Sequence, residues 1–281
     1  AHGCNSVMAT RMAMALSDIT VTEAGFGADL GAEKFLDIKC RMTGIAPDAV
    51  VLVATARALK MNGGVAKTDL NEENLEALAA GMPNLLQHVA NLTEVYGMPV
   101  VVAINRHPTD TVAELELIQS CCAERGVNAV LSEVWAKGGE GGIALAQEVL
   151  RLVEQPSELK FAYPTGASIK EAVEAVATRI YHADGVDFAP AALKQIAALE
   201  ENGYGHLPVC IAKTQYSFSD DPVKLGAPRG FRIAVREVKV SAGAGFVVVL
   251  AGSVMTMPGL PKVPAAEKID VDESGRITGL F

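Results

Sequence analysis

Apolar residues in the first half of the chain follow two patterns in turn, one typical of strands and one typical of helices. The runs 49–55 and 99–105 are almost continuously apolar and rich in β-branched residues, as in parallel-sheet strands that are buried on both faces. Apolar positions at helical spacing follow each run, at 71–96 and 111–125. This alternation predicts an α/β fold with a mostly parallel sheet.

Shorter elements complete this pattern. The runs 18–23 and 129–133 favour strands, and 33–41 favours a helix. In open α/β sheets, ligands bind beyond the carboxyl ends of the strands. We therefore expect a single site that is built from the loops following Glu23, Thr55, Ile104 and Glu133.

The chain changes character near Gln155 and Pro156, which predict a domain boundary. Beyond them, two helical patterns precede alternating runs at 231–240 and 244–250, and the chain ends in a predicted hairpin. We predict an α/β domain and a smaller α+β domain, with the bounds 1–155 and 156–281.

Composition narrows the classes of function. Hydrophobic residues make up 50% of the chain, and a net charge of −9 with a pI near 5.1 argues against a general nucleic-acid binder. No apolar stretch reaches the roughly 20 residues that a membrane-spanning helix needs. The 5 cysteines contain no CxxC pair and fit reduced thiols in a core. We therefore expect a cytoplasmic protein that binds neither nucleic acid nor membrane.

The segment 25–34 combines three glycines and two acids with Phe26. Glycines let the backbone approach a ligand closely, Phe26 offers a flat face, and Asp29 and Glu33 can hold a cation or a polar group. A strand-to-helix turn with one packed phenylalanine explains the composition equally well.

The loop 105–110 resembles the Asn-Lys-x-Asp type of loop by which some P-loop nucleotidases hold a base, although Arg106 replaces the lysine and Asp110 is displaced. The carboxamide of Asn105 can pair with ring nitrogens, and the carboxylate of Asp110 can pair with exocyclic amines. The alternative is a generic turn in which Thr109 or Asp110 caps the next helix.

Trp135 is the only tryptophan of the chain, and it precedes a loop with four glycines at 138–142. A lone tryptophan is usually a core residue. Glycines, however, leave Trp135 without bulky neighbours, and an exposed indole is suited to stacking on a flat heterocycle.

The run 62–68 ends in Lys-Thr, but Ala66 stands where the phosphate-binding pattern GxxxxGK[ST] requires glycine. No other position satisfies this pattern, so we expect no γ-phosphate cradle in these residues. The histidines are dispersed and form no metal or triad motif. We therefore assign no metal ligand and no catalytic residue within this chain.

The chain is similar to the formate–tetrahydrofolate ligase family, also called formyltetrahydrofolate synthetase, in the segments 1–6, 22–35, 105–111, 133–142, 205–210 and 255–264. The resemblance covers essentially all 281 residues. It implies ATP-dependent formylation of tetrahydrofolate, in which formate attacks the γ-phosphate and N10 of the folate then attacks the resulting formyl phosphate. It also implies Mg²⁺ at the triphosphate, a monovalent cation such as K⁺, and a fold of the P-loop nucleotidase type without its P-loop portion.

The resemblance also assigns site residues. The folate-binding positions are Trp135, His107, Pro108, Phe26 and Leu131. The nucleotide-binding positions are Gly25, Gly27, Asn105, Arg106 and Asp110. His107 departs from the family, which has a phenylalanine there. An imidazole can stack in the same way or can donate a hydrogen bond to the substrate, and both alternatives stay open.

The family carries its phosphate-binding loop, magnesium-binding region and formyl-phosphate arginine in an N-terminal portion. We therefore expect the 281 residues to be the C-terminal half of the enzyme, with residues 1–155 forming the C-terminal part of its nucleotide- and folate-binding domain. Turnover would need the N-terminal half as a partner, and the family's tetramers suggest a homo-oligomer. The alternative is a non-catalytic module that binds folate or only assembles with its other half.

Overall fold

The computed structural model describes residues 3–254 and 263–279. Most of the run 255–264 that contributes to the family resemblance lies outside this part. The helices are α1 (Val7–Leu16), α2 (Gly31–Lys34), α3 (Arg41–Thr43), α4 (Ala56–Asn62), α5 (Leu75–Ala90), α6 (Val112–Ala123), α7 (Val134–Lys137), α8 (Ile143–Val153), α9 (Ile169–Arg179) and α10 (Pro190–Glu201). The strands are β1 (Val50–Ala54), β2 (Val100–Asn105), β3 (Ala129–Ser132), β4 (Val186–Phe188), β5 (Val209–Ala212), β6 (Ile233–Ser241), β7 (Phe246–Ala251), β8 (Asp270–Val271) and β9 (Ile277–Thr278).

The first sheet has three parallel strands in the order β1-β2-β3. Its register sets Ala54 opposite Ile104 and Asn105 opposite Ser132, so all three strands point the same way. The predicted α/β class with a parallel sheet is confirmed. Because the strands are parallel, the segments that follow β2 and β3 leave the sheet side by side.

Burial differs between the two predicted central strands. β2 is buried over five of its six residues, as predicted for a strand covered on both faces. The same prediction is wrong for β1, in which Leu52 is buried but Val51 and Val53 are exposed. Val51 and Val53 point to one face of the sheet, and no described residue covers that face over β1.

A second sheet of four strands lies in the other half of the chain, in the order β4-β6-β7-β5. It is mixed, because β6 pairs antiparallel with β7 while β4 and β5 pair parallel with their neighbours. The alternation predicted for 231–240 is confirmed by the buried Ile233, Val235 and Val238. The predicted terminal hairpin is confirmed as β8 and β9.

The strand predicted at 18–23 is wrong, because residues 17–24 form no strand. The hydroxyl of Thr22 donates instead to Oδ1 of Asn5 at 2.7 Å. A β-like run becomes a strand only beside a partner strand. The helix predicted at 33–41 is confirmed, with residues Phe35–Cys40 wound as a π-helix between α2 and α3.

The π-helix connects the two halves of the chain. Oδ1 of Asp37 accepts hydrogen bonds from the backbone of Ala162 at 3.0 Å and from Arg41 at 2.9 Å, and Oδ2 accepts one from the hydroxyl of Tyr96 at 2.9 Å. Burial raises the pKa of Asp37, and these hydrogen bonds act against that rise. One buried apolar cluster extends across residue 155. The domain boundary at this position stays a prediction.

A buried ion pair fixes the start of α6, which follows the loop after β2. Nζ of Lys60 lies 2.8 Å from Oε1 of Glu114, and both side chains are fully buried. The same ammonium donates to the carbonyl of Glu72 at 2.8 Å, and the backbone of Asn74 donates to Glu114 at 3.2 Å. The pair therefore ties α4, the 72–74 loop and α6 together.

Two further expectations concern thiols and membranes. Cys40, Cys122 and Cys210 are buried, and the five cysteines, all within the described residues, form no disulfide. Within residues 3–254 and 263–279, no helix combines the length and apolar character needed to span a bilayer.

Candidate functional site

The loops after β2 and β3 meet at the carboxyl ends of these strands. The backbone of Arg106 donates to the carbonyl of Ser132 at 3.2 Å, which extends the pairing of the two strands by one residue. Between the loops lies an open depression of about 240 Å³. Its lining residues are Arg106, His107, Pro108, Glu133, Trp135 and Ala136. The structure thus brings together three of the five predicted folate positions and one of the nucleotide positions.

Glu133 joins the two loops. Its Oε1 lies 2.8 Å from Nη1 of Arg106, and its Oε2 lies 2.6 Å from Nζ of Lys137. The hydrogen bond from Lys137 is the larger cause that lowers the pKa of Glu133, and Arg106 adds to it against partial desolvation. Sequence reasoning missed this role, although the i, i+4 spacing of Glu133 and Lys137 was a usable signal.

The loop 105–110 is held closed from within. Oδ2 of Asp110 accepts a hydrogen bond from the backbone of His107 at 2.7 Å, and Asp110 is buried. The predicted cap at Thr109 or Asp110 is wrong, since Thr111 caps α6 in a reciprocal capping box with Glu114. Asp110 therefore shapes the loop and uses one carboxylate oxygen to do so.

His107 presents its ring beside the depression. Its Nδ1 lies 2.9 Å from the hydroxyl of Thr109. That contact fixes one edge of the imidazole and leaves its flat face and Nε2 without a hydrogen bond inside the loop. Both alternatives for His107, stacking and hydrogen bonding to a substrate, are compatible with this geometry.

Trp135 is a surface residue. It is the second residue of α7. Its side chain is 76% exposed, which rules out the alternative that Trp135 is a core residue. Gly141 explains part of the glycine run, because a Cβ there would lie 2.4 Å from the carbonyl carbon of Glu133. The backbone of Glu133 donates to the carbonyl of Gly141 at 3.0 Å, so the glycines fold back onto the base of α7. The indole stays uncovered.

Two other predicted residues lie near this depression without lining it. Leu131 is half-buried on β3, opposite Ile104, and packs against the core. Asn105 is exposed at the end of β2. Thr55 caps α4 by accepting a hydrogen bond from the backbone of Ala58, and it lines neither this depression nor the second one.

The loop after Glu23 contributes to a second depression, of about 220 Å³. Its lining includes Gly25, Phe26 and Lys34 together with the β5 residues Cys210 and Ile211. Phe26 is 90% exposed there. The loop after Glu23 and the loops after β2 and β3 thus line separate depressions, one at the second sheet and one at the first, where a single site was expected.

Buried charges lie at and near the second depression, which Lys213 helps to line. Nζ of Lys213 contacts Oδ2 of Asp29 at 2.7 Å, and both side chains are buried. The cation that Asp29 binds is therefore the ammonium group of Lys213. Glu33 is fully buried, and its Oε1 has no hydrogen-bond partner among the described residues. Burial raises the pKa of Glu33 from 4.5 to about 8, with Lys34 at 3.4 Å as the main opposing charge.

Glu33 should make the protein less stable as the pH rises. A carboxyl whose pKa is raised in the folded state contributes stability below its unfolded pKa, and this is lost as the pH rises from 4.5 towards about 8. We expect the Tm of Glu33→Gln to exceed that of the wild type by about 2 °C or more at pH 8.5, and by less at pH 5. Differential scanning calorimetry at both pH values measures this.

Glu23→Gln, at an exposed carboxylate just before the loop, is the matched control and should leave the Tm close to that of the wild type at pH 8.5. A constant difference for Glu33→Gln across the range would contradict the assignment of a raised pKa to Glu33.

Comparison with known proteins gives the chain a family. The family model of formate–tetrahydrofolate ligase matches residues 1–281. The chain belongs to this family. It is 62% identical over 281 residues to the formate–tetrahydrofolate ligase of Symbiobacterium thermophilum, covering 100% of the chain and 50% of the relative. The chain therefore spans about half the length of this relative and corresponds to its C-terminal half. The resemblance inferred from the sequence is confirmed.

For a chain of the formate–tetrahydrofolate ligase family, the two depressions offer different chemistry. The first presents an exposed indole, an imidazole face and Pro108, which suit a flat ring. The second presents glycines and Lys34 above a buried ion pair. Within the described residues, no group of three or more His, Cys, Asp and Glu side chains is placed to hold a metal ion.

Proposed function

We propose that this chain supplies the folate- and adenine-binding surfaces of an enzyme that formylates tetrahydrofolate with formate and ATP. Formate would attack the γ-phosphate and release ADP, and N10 of tetrahydrofolate would then attack the formyl carbon and release phosphate. The single observation that supports this most is the depression at β2 and β3, where an exposed Trp135 faces outward beside His107 in a chain of this family.

The first depression is the proposed folate site. An indole that is 76% exposed can stack on the pteridine ring, and binding would cover apolar surface that now faces water. His107 and Pro108 line the same depression. Phe26 and Leu131 belong to the proposal as further apolar contacts, Phe26 from the second depression and Leu131 from beneath the first.

The adenine of ATP is assigned to the neighbouring polar groups. Asn105 is exposed at the end of β2 and offers its carboxamide to ring nitrogens. Arg106 is oriented by Glu133, and Asp110 is assigned through Oδ1, which is buried and has no partner among the described residues. Gly25 and Gly27 would admit close approach of the nucleotide, and Gly27 has a φ of +75° that side chains rarely adopt.

The remaining parts of the proposal concern the whole enzyme. The three-stranded parallel sheet would be part of a fold of the P-loop nucleotidase type, completed by an N-terminal half. Mg²⁺ at the triphosphate and K⁺ are proposed for the assembled enzyme, and no described residue is assigned to either ion. A homo-oligomer in the cytoplasm is proposed by analogy with the family.

Turnover of the assembled halves tests the proposed function. The 281-residue chain is co-expressed with the N-terminal half of the Symbiobacterium relative, and formation of 10-formyltetrahydrofolate is followed with ATP, formate and tetrahydrofolate. We expect turnover by the pair and none by the 281-residue chain alone, because its sequence contains no GxxxxGK[ST] loop. An assembled pair without turnover, or turnover by this chain alone, would contradict the proposal.

His107→Phe separates the two alternatives for this residue. The Nδ1 contact with Thr109 already fixes the ring inside the loop, so we expect the flat face to be what the substrate meets. The substitution should then leave the KM for tetrahydrofolate within about threefold of the wild type, because phenylalanine offers the same flat face. If Nε2 donates to the substrate, the KM should instead rise by about tenfold or more.

A further inference from the structure

One face of α1 is apolar and exposed. Met8, Met12 and Leu16 are spaced four residues apart and therefore lie on one side of the helix, and Leu16 is 80% exposed. Thr10, the residue of α1 that is buried, lies on the opposite side, where its hydroxyl accepts a hydrogen bond from Nζ of Lys39 at 2.8 Å. The helix is thus attached to the rest of the chain by its polar side.

The segment after α1 continues this apolar surface. Ile19 and Val21 are both exposed. Asn5 fastens the segment to the start of α1, because its Oδ1 accepts hydrogen bonds from the hydroxyl of Thr22 at 2.7 Å and from the backbone of Glu23 at 3.4 Å. The segment that carries Ile19 and Val21 is therefore fixed to α1 at both of its ends.

An isolated helix of 10 residues is marginal in water, and most helices gain their stability by packing an apolar face. Among the residues that the structure describes, none packs over α1 on the exposed side of Met8, Met12 and Leu16. Exposed apolar groups that are held together in this way are typical of an interface.

β1 presents a second uncovered surface. Val53 is 64% exposed, and Val51 is exposed on the same side of the strand. The strands of parallel sheets are normally covered on both faces. The backbone of β1 pairs with β2 and with no other strand among the described residues. The exposed face of β1 can therefore pack against another apolar segment, and its free edge can pair with another strand.

We infer that the α1 face (Met8, Met12, Leu16, Ile19 and Val21) and the exposed side of β1 form the docking surface for the N-terminal half of a formate–tetrahydrofolate ligase. This inference rests on the proposed function. The relative identifies the docking partner, because the chain covers only 50% of the relative and its N-terminal half has no counterpart in this chain.

A second copy of this chain fits the surface less well. Two copies related by a two-fold axis would bring their β1 edges together antiparallel, whereas the sheet they would extend is parallel throughout. A segment that corresponds to the N-terminal half of the relative can add a parallel strand together with its crossover helix. It would then cover the edge of β1 and supply apolar side chains against α1.

Co-purification tests the surface without any measurement of turnover. The tagged 281-residue chain is co-expressed with the N-terminal half of the Symbiobacterium relative, and the recovered half is quantified per mole of chain. Met12→Glu and Leu16→Glu should each lower the recovery about tenfold or more, because a carboxylate would enter an apolar interface. Val53→Glu should act in the same direction.

Val223→Glu is the matched control, since Val223 is 78% exposed and lies in the loop between β5 and β6. Its recovery should stay within about twofold of the wild type. Circular dichroism should show every variant folded, because the replaced side chains are exposed. Unchanged recovery with Met12→Glu and Leu16→Glu, or an equal loss with Val223→Glu, would overturn the inference.

Two further outcomes are informative. One would show that a different partner binds this surface, and the other would distinguish a failure of the docking inference from a failure of the proposed function. A dimer of the chain alone that Leu16→Glu dissociates, seen by light scattering, would show a second copy on this surface and would overturn the inference. Assembly that depends on Leu16 but gives no turnover would support the inference and count against the proposed function.

Discussion

Trp135→Ala should raise the KM for tetrahydrofolate about tenfold or more in the assembled enzyme. Stacking contributes about 0.5–1.5 kcal/mol beyond the burial of area, and the lost contact area of the indole adds to it. The same substitution should change the free energy of unfolding by less than about 0.5 kcal/mol, because the side chain is 76% exposed. Steady-state kinetics and urea denaturation measure the two effects.

Two variants serve as controls for Trp135→Ala. Trp135→Phe keeps a flat face and should raise the KM by less than about threefold. Tyr216→Ala removes an exposed aromatic that does not line the depression and should leave the KM unchanged. An unchanged KM in Trp135→Ala, with a large loss of stability, would identify a structural role for this residue.

Lys60→Met should lower the free energy of unfolding by about 3–5 kcal/mol. The substitution leaves the Glu114 carboxylate buried without its cation and deprives the carbonyl of Glu72 of a donor. Hydrogen bonds from Lys60 and from the backbone of Thr111 and Asn74 now hold the pKa of Glu114 below its usual value, although burial acts to raise it. Urea denaturation at pH 7 measures the loss.

Lys137→Met is the matched control, because Lys137 also pairs with a glutamate but has an exposed side chain. It should cost less than about 1 kcal/mol. The double variant Lys60→Met/Glu114→Leu should recover part of the loss, since no charge is then left buried alone. A single variant as stable as the wild type would contradict the account of this pair.

Much of the fold could be predicted because β-branched runs and helical spacing are local signals. β2 shows this well, since the sequence that predicts a strand buried on both faces belongs to the middle strand of the sheet. The runs at β1 and at 18–23 also predicted strands, but the structure differs from both predictions. β1 is an edge strand with exposed valines, whereas the run 18–23 forms no strand. Both outcomes depend on neighbours that lie elsewhere in the chain, which a local pattern does not reveal.

Individual residues of the candidate site could be predicted from the sequence, but the contacts between its distant loops could not. The glycines after Trp135 indicated an uncovered indole, which the structure confirms. The role of Glu133 depends on Arg106, which lies 27 residues away, and only the fold brings the two together. The loop around Phe26 meets the second sheet because Asp29 pairs with Lys213, a contact that no local pattern indicates.

A fluorescence titration tests most directly the claim that this chain carries a folate site at Trp135. Trp135 is the only tryptophan of the 281 residues, so the emission of the chain reports on this one position. Tetrahydrofolate is added up to about 1 mM, the upper end of usual KM values, and free N-acetyltryptophanamide corrects for absorption by the ligand. The account predicts a saturable quench that exceeds the correction. An emission that follows the N-acetyltryptophanamide control throughout the titration would contradict it.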